Sequence, residues 1–382
     1  MLLLEHDAKA ILAARGLPVP EGLLVPCGAA APDLPQPGPW VVKAQVPAGG
    51  RGKAGGVRLA HTAEEVVAAA GAICGLRIAG HPVHALRLET AVTDAVEVYL
   101  GLAVDPARGR VAVMASATGG VDVETHAADS MATRHALPEP DALAGAMQEV
   151  TATLPPTLRD AAATAGLGLA RAFLDLDATL LEVNPLFVRK DGGWVLGDVR
   201  LALDENALPR QPVLADLLDR RPEAYPDAVF KRAQGYDLVV VDPDGEVGLV
   251  STGAGLSMKL IDEMTNQGLR PYNFCDIRSG MMRGDPARLV EALARMQAGP
   301  RLRCVLVSIF AGITDLGEFA RLLIAAVKAT PDLDLPLVVR LVGNNQAEAE
   351  RLLRASGLPL EIEPDLDRAV ALCAGYAGGG HG

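Results

Sequence analysis

Three glycines spaced Gly50-x-Gly52-x-x-Gly55 follow an apolar run in WVVKAQVPAGGRGKAGGVRL, with Lys43, Arg51 and Lys53 beside them. Glycine lets backbone N–H groups approach phosphate oxygens closely, and the cations supply charge, so the stretch suits a polyphosphate. The spacing is also that of a dinucleotide fingerprint, but that motif runs from a strand into a helix whose N-terminus holds the pyrophosphate. Here Val57-Arg58-Leu59-Ala60 alternates like a second strand, and Glu64 and Glu65 belong to the helix beyond it. A Walker A loop needs glycine five residues before Gly52, where Pro47 stands. The expectation is a basic, glycine-rich lid between two antiparallel strands.

A second constellation lies in LLEVNPLFVRKDGGWVLGDVRL. Glu182 and Asn184 are two apart on a strand and share a face, while Leu181 and Val183 point the other way. If Asp191-Gly192 makes a two-residue turn, Asn184 comes within about one position of Asp198. Convergent carboxyl and amide oxygens suit magnesium, which takes one or two of them and completes its shell with water and phosphate.

The elements that must position these groups are legible from periodicity. A helix from about residue 2 to 15 stops at RGLPVP, and a strand spans about 40–46. A helix follows from a Thr62 cap, then EVYLGLAVD and GRVAVMASA form a hairpin around DPARGR. A helix over about 157–174 precedes the Glu182 hairpin. After DRRPEAYPDAVFKRAQGY the pattern changes, and DLVVVD, EVGLVS, YNFCDI, RCVLVSIF and LPLVVRLV alternate with helical segments. That alternation predicts βαβ units and a doubly wound parallel sheet. The fold class is thus multidomain α/β, with an α+β part over 1–234 and a flavodoxin-like part over 235–382. In such a sheet ligands bind beyond the carboxyl ends of the strands, here at 251–255, 278–280, 311–314 and 343–345.

A chain of 382 residues is long enough for two or three domains. Its net charge of −12, with no run of five basic residues, argues against non-specific binding to nucleic acid or anionic membrane. The N-terminus lacks a basic n-region, and no apolar run reaches the ~18 residues that span a bilayer. Five cysteines (Cys27, Cys74, Cys275, Cys304, Cys373) are scattered, none in C-x-x-C; four sit in apolar runs and read as buried reduced thiols, and the count fits a reducing compartment. The expected location is cytoplasmic.

The glycine loop, with EHDAKAILAARGLPVP, ETAVTDAVEVYLG, LEVNPL, ENALPRQP, STGAGLSM, SIFAGI and VVRLVGNN, resembles the β subunit of succinyl-CoA synthetase and its malate–CoA ligase relatives. The resemblance is collinear along the whole chain. It implies an ATP-grasp domain ahead of the flavodoxin-like one, in an ADP-forming acid–CoA ligase that uses Mg2+, ATP and CoA. Lys43 and Gly50, Arg51, Gly52 and Lys53 would hold the nucleotide phosphates. Glu89 and Val92 would line the adenine pocket and Glu97 would contact the ribose. Asn184 and Asp198 would hold magnesium. Glu182 would face the histidine that receives the phosphoryl group, and Thr252 with Gly312, Ile313 and Thr314 would contact the acid.

In such ligases the phospho-accepting histidine and most of the CoA site lie on a partner α subunit, in an αβ or α2β2 assembly. None of the seven histidines here stands in a strand–glycine–helix nest, and His381 in the terminal GGGHG has no helix after it. The sequence departs from the succinate enzymes at Thr252, where they have asparagine, and at Arg278-Ser279-Gly280, where they have three glycines. With Arg283 nearby, Arg278 would clamp a second anionic group of the substrate, or else meet acids of the partner subunit. The acid is then a dicarboxylate or related anion other than, or besides, succinate. A nucleotide-binding scaffold that has lost turnover is the alternative.

Overall fold

The computed structural model describes residues 1–29, 34, 38–120, 131–282, 284–330 and 333–378. The chain divides into two compact units, Met1–Arg220 and Arg221–Gly382. The division comes earlier than the expected boundary near 235. The helix Pro226–Gln234 packs into the second unit, where Phe230 meets Tyr236 edge-on at 5.1 Å and Arg295 lies over the Phe230 ring.

The first unit opens with helix α1 (Glu5–Ala13) and carries two antiparallel sheets. The first sheet contains β1 (Gly22–Pro26), β2 (Trp40–Ala44) and β3 (Val57–Ala60). Helix α2 (Ala63–Cys74) follows, with Thr62 accepting from the Glu65 N–H at 3.2 Å as the expected cap. After the short pair β4 (Arg77–Ile78) and β5 (His81–Pro82), β6 (Ala85–Thr90) inserts between β1 and β2, giving the order β1-β6-β2-β3. Strand β2 pairs antiparallel with β3, so the glycine loop does join two strands. Val42, Ala44, Leu86 and Leu88 pack against Val66, Ala69 and Ile73 of α2 and form this sheet's core.

The second sheet is built from β7 (Ala95–Asp105), β8 (Arg110–Ser116), β9 (Ala132–Ala136), β10 (Ala178–Arg189), β11 (Trp194–Leu196) and β12 (Val199–Leu203). Strand β10 buries Leu181, Val183, Leu186 and Val188 on one face. The register between β10 and β7 slips by one between Val183 and Leu186. Pro185 lies in this bulge, where it need not donate to the ladder.

The disulfide Cys27–Cys74 joins residues next to β1 to the end of α2. This corrects the expectation of four buried reduced thiols, since three cysteines remain free. The bridged residues are 47 apart, and only folding brings their Cα atoms to 5.7 Å. Cys275, Cys304 and Cys373 are free and buried, as expected.

The second unit holds a four-stranded parallel sheet of β14 (Val247–Ser251), β16 (Cys304–Ala311), β17 (Leu337–Gly343) and β18 (Leu360–Ile362), in that order. Its two faces carry separate cores. Val305, Val307 and Ile309 pack with Phe319, Leu323 and Leu353, while Cys304 and Leu306 pack with Leu260, Met264 and Val370. Alternation between two helix-covered faces is the doubly wound arrangement. Two of the five expected strands are not in this sheet. β13 (Asp237–Val240) and β15 (Asn273–Asp276) pair antiparallel with each other. No helix among the described residues is long and apolar enough to cross a membrane.

Candidate functional site

A cavity of about 600 Å3 in the first unit is bounded by the glycine loop, the end of β6 and the β10–β12 hairpin. Lys43, Gly50, Arg51, Gly52 and Lys53 line it from the loop side. Glu89, Val92 and Glu97 border it from β6 and β7, and Glu182, Asn184 and Asp198 face it from the hairpin. One cavity thus gathers every candidate of the first unit.

The hairpin reaches this geometry through a loop one residue longer than expected. Residues 190–192 form it, with Gly192 at φ +84° and the Gly192 N–H donating to the Arg189 carbonyl. The Arg189 N–H donates to Gly193, and the resulting register sets Asn184 directly opposite Asp198, whose carbonyl accepts the Asn184 N–H at 3.1 Å. Between β11 and β12, Gly197 approaches the Phe187 ring so closely that an added Cβ would lie 2.3 Å from it. Its carbonyl accepts from Lys9 and Lys43, each at 2.7 Å.

In and behind the cavity wall lies a cluster of four cations and three carboxylates, five of the seven buried. Glu5 Oε1 pairs with Lys9 at 2.8 Å and Lys43 at 2.9 Å, and Glu5 Oε2 with Arg51 at 2.8 Å. Glu89 pairs with Lys43 at 2.6 Å, Lys9 at 2.7 Å and Arg87 at 2.6 Å. Arg51 reaches across to Asp198 Oδ1 at 2.6 Å. Burial disfavours every charge here, and partners decide the outcome. At Glu5 burial is overcome by Lys43, Lys9 and Arg51, which hold its carboxyl well below the usual range. Glu89 is lowered in the same way, against burial, by Lys9 and Lys43. Lys43 is buried too, yet Glu5, Glu89 and Asp198 hold its ammonium above the ordinary lysine value.

Asp198 differs. Burial and the Glu5 carboxylate push it up, and Arg51 and Lys43 do not restore it. It is the least compensated carboxylate of the cluster and faces the cavity, where a further cation would relieve it. Asn184 Oδ1 accepts the Gly120 N–H at 2.6 Å, which leaves the oxygen a second lone pair. A carboxylate and an amide oxygen on facing strands are the hard donors that magnesium uses, so the residues present fit that ion.

Glu182 shares its side of β10 with Asn184 and lies across the ladder from Arg200, whose guanidinium is 3.9 Å away. Burial and the hydrogen-bonded Glu182 carboxylate raise the Tyr99 hydroxyl above the ordinary tyrosine value. Gly101 leaves room for that hydroxyl, since an added Cβ would stand 2.7 Å from it. Sequence reasoning missed Glu5, Lys9, Arg87, Tyr99, Gly120, Gly197 and Arg200. The i,i+4 spacing of Glu5 and Lys9 was the one available signal, and it is also that of a common surface pair.

In the second unit, the Ser279 hydroxyl lies 3.2 Å from Thr252 Oγ1 and 3.3 Å from Thr314 Oγ1. Two expected acid contacts are thereby brought together by Ser279, which the sequence marked only as part of the departure at Arg278-Ser279-Gly280 and not as a contact. Gly312 and Ile313 sit on the same β16 loop, with Ile313 98% exposed. Arg278 has φ +52° and turns its guanidinium to Asp237 at 3.3 Å. Arg283 and His381 lie outside the described residues.

The family model described as an ATP-grasp domain matches residues 2–188, and that described as CoA-ligase matches 250–371. The ADP-forming succinate–CoA ligase subunit beta of Thioalkalivibrio sulfidiphilus is 39% identical over 94% of this chain and 95% of its own. The protein of the same name from Chloroflexus aggregans is 38% identical over 98% and 99%. Among solved structures, ATP citrate lyase from Methanothrix soehngenii, in complex with citrate and coenzyme A, superposes with a TM-score of 0.68 over 98% of this chain and 99% of that one. At 19% identity this similarity concerns the fold. The chain belongs to the family of ADP-forming succinate–CoA ligase β subunits, enzymes that join an ATP-grasp domain to a CoA-ligase domain.

Proposed function

We propose that this chain is the nucleotide-binding subunit of a heteromeric acid–CoA ligase and passes the γ-phosphoryl of ATP to a histidine of a partner α subunit. The acid carboxylate then takes the phosphoryl group, and the CoA thiolate displaces phosphate to leave the acyl-CoA. The observation that carries this reading is the single cavity in which Lys43 and the glycine loop face Asn184 and Asp198.

Lys43, Arg51 and the N–H groups around Gly50 and Gly52 orient the polyphosphate, and Lys53 adds charge at the rim. Asn184 and Asp198 hold magnesium, which when bound neutralises charge on the phosphates. Glu97 takes a ribose hydroxyl, and Glu89 and Val92 border the base. Glu182, set by Tyr99 and Arg200, faces the incoming histidine and would accept a hydrogen bond from its far ring nitrogen. Thr252, Thr314 and the backbone at Gly312 and Ile313 bind the acid carboxylate, with Ser279 bridging the two threonines. Arg278 reaches a second anionic group of the acid once it leaves Asp237, which is why we favour a dicarboxylate or related anion other than, or besides, succinate. The partner supplies the histidine and most of the CoA site, as αβ or α2β2. We place the enzyme in the cytoplasm, where the state of the Cys27–Cys74 pair follows the thiol poise of its surroundings.

The test is phosphoryl transfer from γ-labelled Mg-ATP, with the chain alone and with the polypeptide that co-purifies with it. Acid-labile label on the second polypeptide, discharged by CoA plus one member of a carboxylic-acid panel, is the expected result. ATP bound with label nowhere would replace this reading with the scaffold.

A further inference from the structure

Lys9 and Lys43 make nearly the same contacts. Both ammonium groups bind Glu5 Oε1, at 2.8 and 2.9 Å, and the Gly197 carbonyl, at 2.7 Å each. They divide the Glu89 carboxylate, Lys9 on Oε2 at 2.7 Å and Lys43 on Oε1 at 2.6 Å. A lysine ammonium has three donors, so each is saturated by these acceptors. The two differ in access. Lys43 lines the cavity, whereas Lys9 is 0% exposed and stands behind it on α1.

A saturated Lys43 must release an acceptor before it can donate to a phosphate. Arg51, which lines the same cavity, is likewise engaged: Nη1 donates to the Ala44 carbonyl at 3.2 Å and ion-pairs with Glu5 Oε2 at 2.8 Å, and Nη2 donates to Asp198. If both turned to a nucleotide with no other cation present, Glu5 would be left as a buried, uncompensated anion. Stranding such a charge costs far more than the original pair contributes. Lys9 removes that difficulty, because it holds Glu5 and Glu89 from the side a nucleotide does not reach.

We propose that Lys9 is a positioning residue of the nucleotide site, the resident counter-ion of Glu5 and Glu89 that lets Lys43 and Arg51 exchange those carboxylates for phosphate. The inference rests on the reading of the cavity as the nucleotide site. It goes beyond that reading by assigning a binding role to a side chain that touches no ligand. A structural clip alone would give the same contacts in the empty protein, so the test must read the exchange.

The experiment is calorimetric titration of the full-length chain with Mg-ADP, with melting temperatures measured in parallel. Lys9→Met is expected to weaken binding about tenfold or more, because Glu5 then loses its last cation when nucleotide enters. The double variant K9M/E5Q has no anion to strand at that position and is expected to recover to within about threefold of wild type. A lower melting temperature for K9M with an unchanged Kd would overturn the inference and leave Lys9 a clip. If K9M does not fold, Lys9→Gln, which keeps hydrogen-bond donors without the charge, takes its place. A roughly tenfold loss of Mg-ADP affinity that E5Q restores supports the exchange, and an affinity within about threefold of wild type overturns it. A wild-type chain that binds no Mg-ADP would sink the nucleotide-site reading itself. Binding by wild type with K9M unaffected sinks the role of Lys9 alone.

Discussion

The cavity of the first unit and the strand-end mouth of the second arrange their charge in opposite ways. The cavity is backed by seven charged side chains, of which Glu5, Lys9, Lys43, Arg87 and Glu89 are buried, and each is paired within the unit. The mouth has hydroxyls, glycines and helix N-termini, and its Arg278 guanidinium is 45% exposed and bound to Asp237. Buried charge is costly to assemble and therefore comes preassembled, while a mouth with exposed charges and an exposed Ile313 tip would leave much of its enclosure to another surface. The proposed function would use that division: phosphate would be gripped by the chain itself, and the acid met at an open edge.

Four changes would break or sharpen this contrast. The largest effect is expected from Asp198→Asn, which removes the least compensated carboxylate and the proposed metal ligand together. Mg-ATP-dependent phosphoryl transfer should fall by about 100-fold or more, and unchanged transfer would take the metal away from this hairpin. Next is Glu5→Gln, which leaves three cations sharing fewer anions and should cost about 3 kcal/mol in chemical denaturation at neutral pH. Glu5 and Glu89 are both held below their ordinary values, so their contribution is present above about pH 4.3 and is lost as pH falls through the lowered folded-state values. Wild type should therefore lose stability on acidification in that range, and E5Q should lose less of it. Tyr99→Phe should lower phosphoryl transfer several-fold with little change in Mg-ADP affinity, because the lost hydroxyl touches Glu182 and not the loop. A shift in nucleotide affinity instead would place Tyr99 with the binding groups. Arg278→Gly should have the smallest effect on stability, its ion pair being half exposed, and should act through KM for the acid. An unchanged acid preference would remove Arg278 from the substrate.

Much of this contrast was legible in the sequence, and the gaps have physical causes. Period-two alternation on both sides of the glycine loop gave its strand-to-strand topology, and the spacing of Glu182, Asn184 and Asp198 gave their convergence. The turn was misjudged by one residue because an Asp-Gly pair serves both two-residue and three-residue hairpin loops. DLVVVD and YNFCDI read as parallel strands because an apolar run does not state its partner, and these two found each other. Glu5 and Lys9 stayed hidden because an i,i+4 acid–base pair on a first helix is usually solvated. Here β6 and the Gly197 peptide enclose it. The cysteine pair stayed hidden for a similar reason, since contact across 47 residues is a property of the fold.

The Cys27–Cys74 bridge closes a ring of chain that contains Lys43, the whole glycine loop and strands β2 and β3. Loop-closure entropy for a ring of that size is about 4 kcal/mol in the chain-entropy account. Oxidised, the lobe that carries the glycine loop is cross-linked independently of its salt cluster. Reduced, it relies on apolar packing and on those charges. Ambient thiols would thus act on one side of the proposed nucleotide site, while the Asn184–Asp198 hairpin lies outside the ring.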